Sequence, residues 1–291
     1  MAYYRFDDDL NINDMGYQTR NNLSNFRTFT MYTENDFLTT SKILERTYKF
    51  GFSKKADTHG LQLSQNINLS FKQSFKDTSG FEIKVEHKSS GNNDLLTRGS
   101  ALAPFVKFGQ GGNFSLMYYG KQDARWSYWM YLSRDRQSLQ SFTTTSNNIA
   151  LGGYYYPSDN IKFGIHLGKY NTKNWLNWLE DNRLGTYPLD YFSFKVNATW
   201  FPKEKHELRI KFQTNVMQTE TGNEWLADST GILNSANSSA AGFDLGQLAF
   251  QVRYKYEISP LSHFYAVYTR GGRHYEDDDT SVSEIISGTW D

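Results

Sequence analysis

The chain has 291 residues, a hydrophobic share of 38%, an aromatic share of 16% and a formal net charge of zero. The balanced charge gives no global signal for nucleic acid or an acidic tail. With no cysteine, a disulfide scaffold, zinc ribbons and thiol chemistry are excluded, and no apolar run approaches the roughly 18 residues of a membrane helix. The length suits one large β domain, poor in aliphatics and rich in the Tyr and Phe that favour strands.

The opening "MAYYRFDDDLNIND" has no basic n-region and no apolar h-region, so it is not a signal peptide. Strands are predicted next at 20–33 and 41–52, then at 60–76. In the third of these, "LQLSQNINLSFKQSFK", Leu61, Leu63, Ile67, Leu69, Phe71 and Phe75 alternate with Gln62, Ser64, Asn66, Asn68, Ser70, Lys72, Ser74 and Lys76. Gln65 and Gln73 break the apolar side. Side chains alternate faces along a strand, so a period of two marks one wet face and one apolar face. Further strands follow at 80–89, 104–120, 125–134, 148–156, 161–170, 190–201, 206–217, 245–258 and 263–270, about twelve in all. The glycines of Gly109-Gln110-Gly111-Gly112 open no helix and lack a Lys-Ser/Thr, so they predict a bulge or bend rather than a phosphate loop. "NWLNWLE" at 174–180 is read as a single turn inside a loop.

Tight connectors at 76–80, 120–124, 157–160, 202–205 and 259–263 are rich in turn residues. They alternate with long connectors near 89–103, 134–147, 171–189, 218–244 and 271–291; those at 34–41 and 53–60 are intermediate. In an up-and-down meander this puts short turns at one end and long loops at the other. Three features favour a membrane barrel over a large soluble β-sandwich. The strand at 60–76 spans about 50 Å at roughly 3.3 Å per residue, whereas soluble strands usually run about 5–6 residues. The turn asymmetry is that of outer-membrane barrels. Tyr154, Tyr155 and Tyr156 precede one tight turn and Trp200 and Phe201 another, as interfacial aromatics do. The expected fold is an all-β, antiparallel up-and-down transmembrane barrel over residues 1–291, or the later part of a larger one, closed because unpaired backbone groups are costly in lipid.

Three stretches resemble one family. "LNINDMGYQTRNN" at 10–22 is similar to its Asn-Asp-(Leu/Met)-Gly-aromatic segment, through Asn13, Asp14 and Gly16. "DLLTRGSAL" at 94–102 is similar to its Thr-Arg-Gly-Gly-Pro-Leu segment, through Thr97, Arg98 and Gly99. "LAFQVRYKYEISPLSHFYAVYTRG" at 248–271 resembles its late hairpin. The family is the uncharacterised Gram-negative outer-membrane β-barrel domain that follows modules similar to family 9 carbohydrate-binding domains. Ser100-Ala101 replaces Gly-Pro, and Leu261 replaces the turn glycine. The resemblance implies an outer-membrane location, contact with lipid and lipopolysaccharide, and a carbohydrate or polymer as substrate. It also implies a longer chain, with a signal peptide, the sugar-binding-like module and early strands before Met1, and a closing strand that "SGTWD" does not supply.

His87 and Ser89 lie two apart, and with Asn92 or Asn93 they resemble the Ser–His–amide constellation of outer-membrane phospholipases, in which Ser attacks, His takes its proton and the amide orients the ring. The plainer account is a strand end: His87 continues the face of Phe81, Ile83 and Val85. The acidic runs Asp7-Asp8-Asp9 and Glu276-Asp277-Asp278-Asp279 follow no EF-hand pattern, and the six histidines show no ligand spacing, so neither a metal nor a cofactor is expected. Trp175 and Trp178 are candidates for stacking on sugar or meeting lipopolysaccharide, against simple loop packing. The polar face of three successive strands carries Lys195; Glu207, Arg209 and Lys211; and Arg253, Lys255 and Glu257. That basic wall predicts a mild preference for anions in an open lumen, against a salt-bridged or plugged interior. The leading function is a non-enzymatic outer-membrane conduit or surface scaffold. A membrane-embedded lipase and a soluble carbohydrate-binding β-sandwich are the alternatives.

Overall fold

A computed structural model describes residues 1–7, 22–122, 125–276 and 281–290. The fold is all-β: among the described residues strands make up 73%, with one short helix, in an antiparallel sheet of 16 strands that hydrogen bonds do not close into a ring. In chain order the strands are β1 (Ala2–Phe6), β2 (Leu23–Glu34), β3 (Ile43–Ala56), β4 (Gln62–Phe75), β5 (Gly80–Lys88), β6 (Gly91–Asn93), β7 (Val106–Tyr119) and β8 (Trp126–Leu139). They continue with β9 (Thr143–Ser158), β10 (Ile161–Glu180), β11 (Arg183–Trp200), β12 (His206–Thr219), β13 (Gly222–Ala227), β14 (Leu233–Ala240), β15 (Asp244–Ser259) and β16 (Ser262–Glu276). The path through the sheet is a meander, β1-β2-β3-β4-β5-β7-β8-β9-β10-β11-β12-β15-β16. β6 pairs β7, and the β13–β14 hairpin extends the sheet beside β11.

Each predicted strand has its counterpart, but three predicted long loops are largely sheet and a fourth holds a strand end and a helix. β10 and β11 run on to a two-residue turn at Asp181-Asn182, β8 and β9 to a short turn at 140–142, and 218–244 holds the β13–β14 hairpin. In 271–291, β16 continues to Glu276 and helix α1 (Val282–Gly288) follows. The reason is chemical. "TTTSNN" at 143–148 is polar on both faces and "NSANSS" at 234–239 has Ala236 as its one apolar residue, so they form strands without a two-residue hydrophobic period. The expected bulge is present: the β7–β8 register slips between Phe108 and Gly111.

Register carries one face across the whole sheet. Phe50 opposes Leu69, Leu69 opposes Val85, and Val85 opposes Phe114. Farther along, Leu132 opposes Ile149, Leu151 opposes Leu167, Leu167 opposes Phe194, and Ile210 opposes Val252. This apolar face is uncovered over its middle: Leu69 is 54% exposed and Ile165 48%. Gln65 and Gln73 stand at the limits of the band. Gln65 lies opposite Lys54, while Gln73 accepts a hydrogen bond from Arg46 Nε at 3.0 Å.

The buried apolar cluster lies at the end away from the tight turns. It joins Ala103, Val106, Leu139, Leu184, Ala227 and Leu233. Helix α1 packs on the apolar face at that same end. Ile285 is fully buried, and a Cβ on Gly246 would stand 2.5 Å from Ile285 Cγ2. Trp290 reaches the edge of the band, its ring centroid 6.4 Å from those of Phe212 and Phe250. A capping box between Ser281 and Glu284 starts this helix.

At the tight-turn end Trp126 stacks on Tyr155, centroids 4.1 Å apart, on the apolar face. Tyr154 and Tyr156 point the other way. Lys162 Nζ lies 3.9 Å from the Tyr154 ring centroid and 5.5 Å from that of Tyr156, so one of the three tyrosines, not all, joins the apolar rim.

Candidate functional site: the polar face

The same registers define the opposite face. Its bases are Arg27, Lys49, Lys55, Lys72, Lys84, Lys88, Lys162, Lys195, Arg209, Lys211, Arg253, Lys255 and Arg273; its acids are Glu45, Glu82, Glu86, Asp135, Glu207 and Glu257. The basic excess therefore spreads beyond the three strands where the alternation is cleanest. The chain is neutral overall because many carboxylates sit in turns and hairpin extensions, such as Asp57, Asp77, Asp94, Glu180, Glu224 and Asp228. Counting charge by strand face on β3, β4 and β5 would have found these further bases in the sequence.

The predicted wall comes together on β11, β12 and β15, and it divides in two. Arg209 lies directly opposite Arg253, a like-charge pair that would repel. Glu207 lies between them: its Oε1 meets Arg253 Nη2 at 3.0 Å and also contacts Arg209 Nε. Lys255 stands opposite that occupied carboxylate. Lys195 and Lys211 are different. Both are exposed, and neither has an ion-pair partner among the described residues. Their cross-strand neighbours are His166 and Gln213 for Lys195, and Asn197 and Gln251 for Lys211.

The lipase constellation is not assembled. His87 sits exposed on the apolar face. Ser89 Oγ accepts the Gln65 N–H at 3.1 Å and donates to the Ser90 carbonyl at 3.0 Å. Asn92 donates to the Gln62 carbonyl at 2.8 Å, and Asn93 Oδ1 accepts from the Leu95 and Leu96 N–H groups. These groups build a turn, and His87 makes no hydrogen bond to Ser89.

The segment at 97–99 is also a turn. Thr97 is buried, Arg98 and Gly99 take positive φ of 51° and 79°, and the Arg98 guanidinium lies 4.4 Å from the Trp178 ring centroid. Trp178 donates to the Asp181 carbonyl at 3.0 Å, and Trp175 lies 6.1 Å from Tyr187 and 6.4 Å from Phe243. Both tryptophans therefore lie in β10 and pack within the protein. Asn13, Asp14, Gly16, Asp8, Asp9 and Asp277-Asp278-Asp279 lie outside the described residues. Among those described, no cluster of His, Asp and Glu has the makings of a metal site. Above the apolar band, on the same face, a polar recess of about 600 Å³ is lined by Arg134, Asn147, Asn171, Asp190, Gln218 and Asp244 among others.

The β13–β14 extension depends on carboxylates that sequence reading missed. Glu224 pairs with Arg183 Nη2 at 2.5 Å and accepts from Ser238. The Ser238 hydroxyl, then Arg183, hold its carboxyl below the usual range. At the hairpin tip Asp228 accepts from the Thr230 hydroxyl and the Thr230 and Ile232 N–H groups. These bonds, led by the Thr230 hydroxyl, lower its pKa to about 2. A depressed carboxylate stabilises above its unfolded pKa and loses that contribution as pH falls through the folded one. The tip should thus hold near pH 4 and open as pH drops towards about 2; the protection of the Thr230 and Ile232 amides, relative to their intrinsic exchange rates at each pH, should fall over that interval. The same amides should exchange fast at neutral pH in Asp228→Ala.

Comparison with protein-family models, with curated proteins and with solved structures finds no match for this chain.

Proposed function

We propose that this chain forms the wall of a transmembrane β-barrel in a Gram-negative outer membrane and serves there as a non-enzymatic conduit or surface scaffold. One observation carries the reading: an apolar face that continues from β3 to β16 along the meander path, eleven strands, with no second layer over its middle among the described residues. Exposed apolar surface of that extent in water would drive association; in hydrocarbon it is the expected outer surface. The dimensions agree. On β11 the apolar face below Asp190 carries no charge from Phe192 to Trp200, about 26 Å along the strand at roughly 3.3 Å per residue. A tilted strand takes about 9–11 residues to cross a bilayer, and Phe192 to Trp200 is nine. The stacked Trp126 and Tyr155 suit one headgroup layer, and the polar recess by Asp190 and Asp244 suits the other. The family resemblance extends the reading to handling a carbohydrate or other polymer beside a sugar-binding module. The engaged hydroxyl of Ser89 gives a membrane lipase no support.

The test is solvent dependence followed by conductance. Purified protein should stay monodisperse and strand-rich in detergent and precipitate when detergent is removed. Stepwise single-channel currents in a planar bilayer favour the conduit, and silent insertion favours the scaffold. A monodisperse folded protein in plain buffer defeats both.

A further inference from the structure

We infer that Lys195 and Lys211, with the carboxamides of Asn197, Gln213 and Gln251, form an anion-binding station on the inner wall, selective for small carboxylate or phosphate solutes. The inference rests on the conduit reading for its route and on separate observations for its chemistry. First, the cross-strand rungs of the two ammonium groups hold no acid among the described residues. The rung of Lys211 holds Gly164, Asn197, Gln251 and Thr269, and that of Lys195 holds His166, Gln213, Ala249 and Gly271. Second, the neighbouring arginines are already used, since Glu207 binds both Arg209 and Arg253. The wall thus separates a neutralised part, which holds β12 to β15, from an unneutralised part open to solutes. Third, Lys195 and Lys211 are diagonal neighbours: Lys195 opposes Gln213, two residues from Lys211 on the same face. Such positions lie about 7–8 Å apart, within reach of one oxyanion for two flexible side chains. Amide N–H groups around them supply donors that a carboxylate or phosphate accepts and a simple cation cannot use. Confinement beside a low-dielectric wall strengthens the field these charges make.

Two measurements test it. In a planar bilayer under a potassium chloride gradient, the native protein should show a reversal potential on the chloride side. Lys195→Glu/Lys211→Glu should move it to the potassium side, while Lys169→Glu on the apolar face should leave it in place. In detergent micelles, calorimetry with citrate should show binding that weakens at least about tenfold in Lys195→Gln/Lys211→Gln and at high salt. Channels whose selectivity ignores both lysines, or a folded protein that takes up citrate equally with and without them, overturn the inference and leave the conduit standing. Citrate binding that needs the lysines in a protein that never conducts supports the station and defeats the conduit. A circular dichroism spectrum matching the native one qualifies each variant; should the glutamates prevent folding, the glutamines serve in both measurements.

Discussion

Ile165→Arg is expected to cost about 2–4 kcal/mol in bilayers, the price of a guanidinium near the midplane on the lipid face of a barrel. The site makes the test sharp because Ile165 is 48% exposed. In water, a substitution at a half-exposed strand position away from special features usually stays within about 0.5 kcal/mol. The same change therefore gives opposite answers for the two solvents. Ile165 sits on β10 with apolar neighbours on that face on both sides, Phe163 and Leu167, and lies opposite Val196. Reversible unfolding in urea from phospholipid vesicles would measure it, and His166→Arg, one residue along on the polar face, is the control. A loss below about 0.5 kcal/mol for Ile165→Arg would remove the hydrocarbon from the account.

Leu184→Ala should be comparably costly for a different reason. Leu184 is fully buried, packed with Ala103, Val106, Leu139, Ala227 and Leu233. Truncating such a leucine costs about 2–5 kcal/mol, set by how far the site collapses. This core lies at the end of the sheet, so the loss should be local. Protease should cut the 94–105 loop and the β13–β14 hairpin far faster, while the strands through the apolar band stay protected. Global unfolding at the same denaturant concentration in both regions would contradict that separation.

The strands through the band were legible because one face is apolar and the other polar, and that contrast survives in "LQLSQNINLSFKQSFK" without any tertiary information. Beyond the band the contrast vanishes. At Thr143 to Asn147 both faces meet water, so the residues read as a loop although they pair with β8 in register. In β10 the reverse removes it: Trp175, Leu176, Trp178 and Leu179 put apolar side chains on both faces, so no two-residue period marks that stretch as strand. The basic wall was legible as composition by face, but its division was not. That Glu207 serves both Arg209 and Arg253 depends on cross-strand register, which places Arg209 opposite Arg253 only once β12 and β15 are known to be neighbours across a 24-residue excursion (220–243). The core around Leu184 joins the loop after β6 to the β13–β14 hairpin, a long-range meeting that no local period announces.

The two margins of the sheet carry a counting rule. β1 runs antiparallel to β2, and strand direction alternates at each step of the path to β16, so β1 and β16 advance the same way. Zipping them straight together would insert one parallel seam into an otherwise alternating cylinder. A ring that keeps alternation throughout takes an odd number of further staves between them, and its total is then even.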